Sequence, residues 1–401
     1  MGKNLRKPDT ETKGVNAVNK QDGGGAMNLI ILSPYAQSIV SFRGALIRAL
    51  IERNIKVSIL APDYTPELRK SVERLGGKAL NYPLNRTSMN PLVDLHTLIT
   101  LRAFFNSARP EAVFSYNPKP VIYGTLAAYL AGVPHRFAMV EGLGYAFTPQ
   151  CQFSFKQALL RNALILLYKI AINRATRVFF LNRDDLATLC ALTGLSSPKA
   201  VLIGGIGVDL DEWPFCPPHL HPLTFTLAAR LLREKGVEEF AQAARDIKSR
   251  YGYVRFLLLG ALDTNPGALT EAEVRAWVQE GILEWPGSVS NMQAYLAQTS
   301  VYVLPSYYRE GVPRSTQEAM AMGRPVITTD APGCRETVVE GVNGFLVPPR
   351  NAAALVKMME HFIQDPSLIE SMGRESRRLA EERFDVHKIN QRLIAEMFPE
   401  S

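Results

Sequence analysis

Two doubly wound α/β domains, each built on a parallel sheet, are the fold this sequence predicts. Three observations carry the prediction. Short apolar runs alternate with amphipathic helical stretches along nearly the whole chain. The alternation stops once, in a stretch rich in proline and aromatic residues, and then restarts. The length of 401 residues exceeds what a single hydrophobic core organises. With 47% hydrophobic and 21% charged residues, both halves can bury a core.

The first apolar run, MNLIILSP (27–34), is short and ends in polar residues, so it reads as a buried strand. GALIRALIERNI follows with Leu46, Leu50 and Ile51 at helical spacing, and KVSILAPD is the next strand. Strand, helix and strand in this order make a βαβ unit with parallel strands. The rhythm continues with a helix over 92–110, a strand over 111–117 and a helix over 121–132 that stops at Gly132. A strand over 134–142 runs into a glycine loop, and 174–185 and 199–209 supply two more.

LDEWPFCPPHLHP (210–222) breaks the pattern and fits a linker. LTFTLAARLLREKGV then gives a strand and a loop, VEEFAQAARDIKSR an amphipathic helix, and YVRFLLLG a strand ending at Gly260. MQAYLAQT reads as a short helix, VYVLPS as a strand, RSTQEAMAMG as a helix and RPVITTD as a strand. AALVKMMEHFIQDP and LIESMGRESRRLAEER are late helices. The expected division is a first domain over 27–209, the linker, a second domain over 223–384, and a terminal helix within 385–401 packing back on the first domain. Residues 1–26 are polar and Gly-rich, lack the apolar segment of a secretory signal, and read as a disordered tail. Ligands of doubly wound sheets lie off the carboxyl ends of the strands, and two such domains in tandem place a cleft between them.

The formal charge of +7 suits an anionic partner: nucleic acid, a phosphorylated substrate or an anionic membrane. Cys151, Cys190, Cys216 and Cys334 form no CxxC pair and have no histidine at zinc spacing, so they read as reduced thiols of a cytoplasmic protein. A P-loop, H-E-x-x-H and G-x-S-x-G are all absent. GGIGVD (204–209) lies at the domain junction and reads as a turn and hinge rather than a dinucleotide fingerprint. The segment 153–177 is strongly apolar but interrupted by Lys156, Arg161, Lys169 and Arg174. Two readings stay open for it: a core helix with a basic outer edge, or an interfacial helix resting on anionic lipid. No stretch has the ~20 apolar residues that a spanning helix needs.

The densest cluster of candidate chemistry is YYREGVPRSTQEAMAMGRPVITTD (307–330). Glu310 lies on a loop leaving a strand, and Glu318 lies on the helix that follows. Ser315 and Glu318 fit S-x-x-E, the pattern of a capping box, which gives Glu318 a local structural role. Capping offers Glu310 none. Backbone N–H groups at Gly311, Val312 and Arg314, beside Pro313 and a helix start, suit an anion. Carboxylates suit the hydroxyls of a sugar or ribose.

EGVPRSTQEAMAMGRPVITTDAPGCRETVVEGVNGFLVPP resembles the E-x7-E region of family 4 glycosyltransferases, retaining enzymes of the GT-B fold. LAARLLREKGVEEFAQAA is similar to that family's donor-phosphate segment. YNPKPVIYGTLAAYLAGVPHRFAMVEGLGYAFT resembles a subgroup extending polyprenyl-diphosphate-linked saccharides, such as N-acetylgalactosaminyltransferases of bacterial glycan assembly. The resemblance implies that Glu310 meets the donor sugar, Glu318 the ribose, and the Gly311–Arg314 backbone the sugar and phosphates. Arg230 and Lys235 would neutralise the diphosphate, and Val289 would meet the base. Two cations there would stabilise the leaving group without a metal or cofactor.

In the first domain, Glu141 stands near where many relatives have a histidine. Donor contact, acceptor orientation and a satisfied carboxylate all remain open for it. Lys119 and Arg43 are candidates for an acceptor diphosphate. The loop SPYAQSIVSF lacks the glycine pair of many relatives. The expected function is transfer of a hexose or N-acetylhexosamine from a nucleotide-diphosphate donor, expected to be UDP-linked, to a polyprenyl-diphosphate-linked saccharide. The enzyme would work at the inner face of the cytoplasmic membrane, with no role for nucleic acid. The rival expectations are a sugar-nucleotide epimerase of the same fold and a non-catalytic sugar-nucleotide-binding subunit.

Overall fold

The computed structural model describes residues 26–86, 88, 90–148, 155–265 and 267–399. The expected tail apart from Ala26, Cys151, the first two residues of the 153–177 segment and the Lys156 side chain lie outside the described residues. Cys190, Cys216 and Cys334 are free thiols.

The first sheet holds β1 (Asn28–Leu32), β2 (Lys56–Ala61), β3 (Lys78–Asn81), β4 (Ala112–Tyr116), β5 (His135–Val140), β6 (Arg177–Phe180) and β7 (Ala200–Leu202), in the order β3-β2-β1-β4-β5-β6-β7. The second holds β8 (Thr224–Ala228), β9 (Arg255–Leu259), β10 (Glu284–Gly287), β11 (Val301–Leu304), β12 (Val326–Thr329) and β13 (Gly344–Val347), in the order β10-β9-β8-β11-β12-β13. Neighbouring strands run parallel throughout. Strand order reverses beside β1 in one sheet and beside β8 in the other. Crevices therefore open at the carboxyl ends of β1 and β4, and of β8 and β11.

Helices cover both faces, so the central strands are buried on both sides and read as continuous rather than alternating apolar runs. Every residue of β4, β8, β11 and β12 is buried. In the first domain, α1 (Ala36–Glu52) packs Leu46, Ile47 and Leu50 into the core of Leu29, Ile31, Phe114, Phe137 and Phe179. The other helices of this half are α2 (Pro66–Arg74), α3 (Pro91–Ala108), α4 (Thr125–Leu130), α5 (Phe155–Ile172) and α6 (Arg183–Thr193). The second half adds α7 (Val237–Lys248), α8 (Glu271–Gln279), α9 (Met292–Ala297), α10 (Arg314–Ala321), α11 (Ala352–Gln364) and α12 (Ser367–Arg383). Its core stacks Phe225 and Phe256 with ring centroids 5.4 Å apart and sets Phe240 edge-on to Phe256. At Val208 the chain pairs with the stretch after α12, Val208 N donating to Phe384 O and Val386 N to Val208 O. The final helix, α13 (Val386–Met397), then lies against α1.

Several elements differ from the sequence expectation. α1 begins at Ala36, inside the stretch read as a loop, because the Ala36 amide donates to Asp63 Oδ1 at 2.7 Å. That cap comes from the loop after β2, so no local pattern announces it. The strand expected over 174–185 is β6 followed by the start of α6. Asn182 caps that helix, its Oδ1 accepting from the Asp185 amide at 2.8 Å. α2, β3, α8, β10 and β13 lie outside the elements the sequence predicts, most of them short or at sheet edges. The expected linker packs on the second domain, where Cys216 N donates to Met322 O and Trp213 borders the core.

Candidate active site

A cavity of about 270 Å³ lies between the two sheets, where their carboxyl ends face each other. The second domain contributes Arg230 and Lys235 from the loop after β8, Glu310 to Pro313 from the loop after β11, and Arg314 from the first turn of α10. The first domain contributes Arg43 from α1, Asn117 after β4, and Glu141 and Gly142 after β5. Residues distant in sequence meet here because doubly wound sheets collect their strand-end loops on one edge.

Glu310 does not stand alone on its loop. Its Oε2 lies 2.7 Å from Lys235 Nζ, and its Oε1 accepts from Ser306 Oγ at 2.6 Å. Lys235 also stands 5.5 Å from the centre of the Tyr308 ring. Arg230 Nη1 pairs with Asp263 Oδ2 at 2.8 Å while half of its side chain stays exposed. Burial works against its charge, but Asp263 overrides that and holds its pKa above the usual arginine value. At this end of the cavity two cations, Arg230 and Lys235, each face a carboxylate, Asp263 and Glu310, so a ligand phosphate would compete with those carboxylates for the cations.

The opposite wall is an ion-pair assembly. Glu141 is paired with Arg43 and accepts from Asn117 Nδ2 at 2.6 Å. The Arg43 guanidinium lies 4.6 Å from the centre of the Tyr116 ring. Burial lowers the Arg43 pKa, and Tyr116 opposes that shift. Tyr116 itself bonds to Ser33 and Ser38. Glu141 is therefore a satisfied carboxylate that still borders the cavity.

The capping box expected from Ser315 and Glu318 does not form. Ser315 Oγ accepts instead from Tyr302 OH at 2.7 Å, and Glu318 pairs with Arg314 Nε at 3.0 Å. Pro313 occupies the cap position and makes no side-chain cap bond. Burial raises the Glu318 pKa, with Arg314 acting against it. With Pro313 at the cap, Ser315 falls inside the first turn, out of register for the motif, and its hydroxyl is taken by Tyr302.

Arg43, Glu141, Arg230, Lys235, Glu310, Gly311, Val312, Pro313 and Arg314 all line the cavity. Glu318 lies behind Arg314. Val289 is half-buried beyond β10, against the apolar cluster of Ala228, Leu296 and Tyr302, and does not line the cavity. Lys119 is also outside it. Its Nζ donates to Asp94 Oδ1 at 2.6 Å, Ser88 O at 2.6 Å and Asn85 O at 2.9 Å, which uses all three ammonium protons. The structure thus ties Lys119 to the loop before α3 rather than leaving it for an acceptor diphosphate. Lys119→Ala should lower stability by about 1.5–3 kcal/mol, the value of hydrogen bonds to charged groups. Chemical denaturation measures that loss.

Sequence reasoning missed the residues that join the two halves of the site. Arg309 Nε pairs with Asp185 Oδ1 at 2.9 Å, and its Nη2 donates to Thr188 Oγ1 at 2.6 Å. Asn182 Nδ2 donates to the carbonyls of Glu310 and Gly311. Gly142 and Gly311 meet backbone to backbone. A Cβ on Gly142, which has φ +112°, would lie 2.6 Å from Gly311 N, and one on Gly311 would lie 2.8 Å from Glu141 O. Only glycine fits at either place. N-R-D-D at the start of a helix was the available signal, since an Asn with an acidic first turn marks a helix cap.

Comparison with known proteins agrees with this architecture. Residues 40–205 match the family model described as "Glycosyl transferase 4-like domain", and residues 222–365 match "Glycosyl transferases group 1". The N,N'-diacetylbacillosaminyl-diphospho-undecaprenol alpha-1,3-N-acetylgalactosaminyltransferase of Campylobacter jejuni is 29% identical over 92% of this chain and 97% of its own length. The UDP-Gal:alpha-D-GlcNAc-diphosphoundecaprenol alpha-1,3-galactosyltransferase of Escherichia coli is 23% identical over 78% of this chain and 81% of its own. Among solved structures, Anabaena Alr3699/HepE in complex with UDP and glucose superposes with a TM-score of 0.73 at 17% identity, over 93% of this chain and 100% of its own. Its likeness carries the fold, and the fold is GT-B. Matched in both halves, the chain belongs to the group 1 and 4-like glycosyltransferases and is a glycosyltransferase.

Proposed function

We propose that this enzyme moves a hexose or N-acetylhexosamine from a UDP-sugar to a saccharide carried on a polyprenyl diphosphate, with retention at the anomeric carbon. The observation that carries the proposal is the convergence of Arg230, Lys235, Glu310 and the start of α10 on one interdomain cavity. Relatives named for diphospho-undecaprenol acceptors support the acceptor class. In this reading Arg230 and Lys235 receive the donor diphosphate, Glu310 accepts hydroxyls of the donor sugar, and Glu318 lies toward the ribose.

Chemistry follows from charge. As the bond from the anomeric carbon to the leaving phosphate oxygen breaks, negative charge grows on the diphosphate, and the two cations stabilise it. The acceptor hydroxyl approaches from the same face, its oxygen bonds to the anomeric carbon, and its proton passes to the departing phosphate oxygen. Positive side chains supply the charge, so chelation with EDTA should leave the transfer rate within about twofold of the untreated enzyme, as expected of electrostatic stabilisation by fixed groups.

The acceptor class also favours the lipid-surface reading of the 153–177 segment. Among the described residues, no helix is long and apolar enough to cross a membrane. Yet α5 exposes Phe155 at 75%, together with Leu159, Leu166 and Ile170, and carries no acidic residue. Leu92, Leu95 and Ile99 of α3 and Tyr129 and Leu130 of α4 are exposed on neighbouring helices. Arg161, Lys169 and Arg174 complete an apolar face edged with cations, which suits anionic lipid. Wild-type protein should float with phosphatidylglycerol vesicles and remain behind with phosphatidylcholine, and the double variant Leu159→Glu/Leu166→Glu should remain behind with both. Flotation of that variant with phosphatidylglycerol would remove this face from the account.

A further inference from the structure

The loop that carries Glu310 leaves a strand of the second domain, but its backbone is held by the first. Arg309 N donates to Thr148 Oγ1 at 3.0 Å, and Arg309 O accepts from Gly144 N at 3.0 Å. The Glu310 and Gly311 carbonyls accept from Asn182 Nδ2 at 3.0 and 2.8 Å. Gly311 rests on the Glu141 carbonyl at backbone contact. Three successive peptide units next to the proposed sugar-reading carboxylate are thus gripped across the domain junction.

The grip is built, not incidental. Asn182 and Asp185 are both 0% exposed. The Asn182 side chain is oriented by its two further bonds to Asp185, Oδ1 accepting from the backbone amide and Nδ2 donating to Oδ2 at 3.0 Å. Asp185 Oδ1 in turn holds Arg309, whose second arm reaches Thr188. A carboxylate buried in this way is costly unless paired, and its cation comes from the other domain. Burial raises its pKa, and Arg309 opposes that shift.

We propose that Asn182, with Asp185 and Arg309, is a positioning device that sets the backbone carrying Glu310, whose carboxylate rests on Lys235 and Ser306 of its own domain, so that the sugar-reading group takes its reacting position only while the two domains are in contact. The inference rests on the reading that Glu310 meets the donor sugar. Nucleotide binding by Arg230 and Lys235, which belong wholly to the second domain, does not depend on it. The device therefore acts on turnover and not on UDP affinity.

Asn182→Asp tests this most cleanly. Aspartate keeps an oxygen to cap α6 but replaces the amide donor with a carboxylate facing two carbonyls and Asp185 Oδ2, so a lowered melting temperature is expected with it. Thr148→Val, which deletes only the hydroxyl that receives the Arg309 amide, is the second variant and carries the test if the first does not fold. Each is assayed with UDP-N-acetylgalactosamine and UDP-galactose for kcat and KM, with UDP alone by calorimetry, and by thermal melting. For Asn182→Asp the expected result is a kcat lowered by about 10²-fold, as for an ångström-scale misplacement of a reacting group. UDP affinity should stay within about twofold, because the phosphate contacts are untouched. Thr148→Val should show a smaller loss in the same direction, and Arg309→Lys should recover part of the rate lost in Arg309→Ala. Unchanged kcat in both Asn182→Asp and Thr148→Val overturns the proposal. So does parallel loss of kcat, UDP affinity and melting temperature, which marks a merely structural role. If Glu310→Ala itself keeps wild-type turnover, the reading of Glu310 has failed, and the positioning proposal fails with it. A dead Glu310→Ala beside fully active Asn182→Asp and Thr148→Val overturns the positioning proposal alone.

Discussion

Glu310→Ala should lower the transfer rate by about 10²–10³-fold, the loss seen when one preorganised polar group is removed from a reacting centre. UDP affinity should change far less. The Glu310 carboxylate touches Lys235 and Ser306, and neither contact is needed for a nucleotide to reach Arg230. Removing Glu310 also frees Lys235 from its ion pair, so UDP without a sugar should bind as well as before or better. Glu310→Gln separates shape from charge, since the amide keeps one oxygen acceptor but gives Lys235 no counter-charge. A rate for Glu310→Gln between those of wild type and Glu310→Ala would show that hydrogen bonding and charge both contribute. Wild-type turnover in Glu310→Ala, measured under saturating donor, would remove this residue from the reaction.

Lys235→Ala should have the second largest effect and a different signature. Lys235 is nearly buried between Glu310 and the Tyr308 ring, so its removal takes away the cation nearest the carboxylate. Ground-state binding and leaving-group stabilisation both depend on that charge. UDP affinity and kcat should therefore fall together, kcat by about 10²-fold or more, as for loss of an electrostatic stabiliser in a site screened from water. Lys235→Arg should recover only part of the loss, because a planar guanidinium does not replace a compact ammonium in a fitted position. A Lys235→Ala variant with intact UDP affinity would place the diphosphate elsewhere.

Much of the fold was legible because its central strands are buried on both faces. Runs such as FLLL in β9 and VYVL in β11 need no partner to be recognised. What escaped was decided by tertiary contacts. The start of α1 depends on Asp63, twenty-seven residues away, and α6 was merged into the strand before it because its cap, Asn182, follows an apolar run directly. The site shows the same division. Glu310, Arg230 and Lys235 stand out by residue type at loop positions after strands. Sequence could not show that Glu310 and Lys235 are paired, that Ser315 would fall inside the first turn and meet Tyr302, or that Lys119 would spend its protons on the loop before α3. Nor could Arg309, one residue before Glu310, be told from a solvated surface arginine, since its partner Asp185 is buried in the other domain.

The central claim, that a sugar leaves UDP for a lipid-diphosphate-linked saccharide, is tested most directly by mass spectrometry of the products. Purified enzyme is incubated with UDP-hexoses and UDP-N-acetylhexosamines, with and without undecaprenyl-diphosphate-linked saccharides. The predicted result is an acceptor heavier by one sugar residue, an anomeric configuration matching that of the donor, and UDP released in equal amount. An epimerised sugar nucleotide formed without any acceptor, or UDP binding with no turnover of any donor and acceptor pair, would contradict the account.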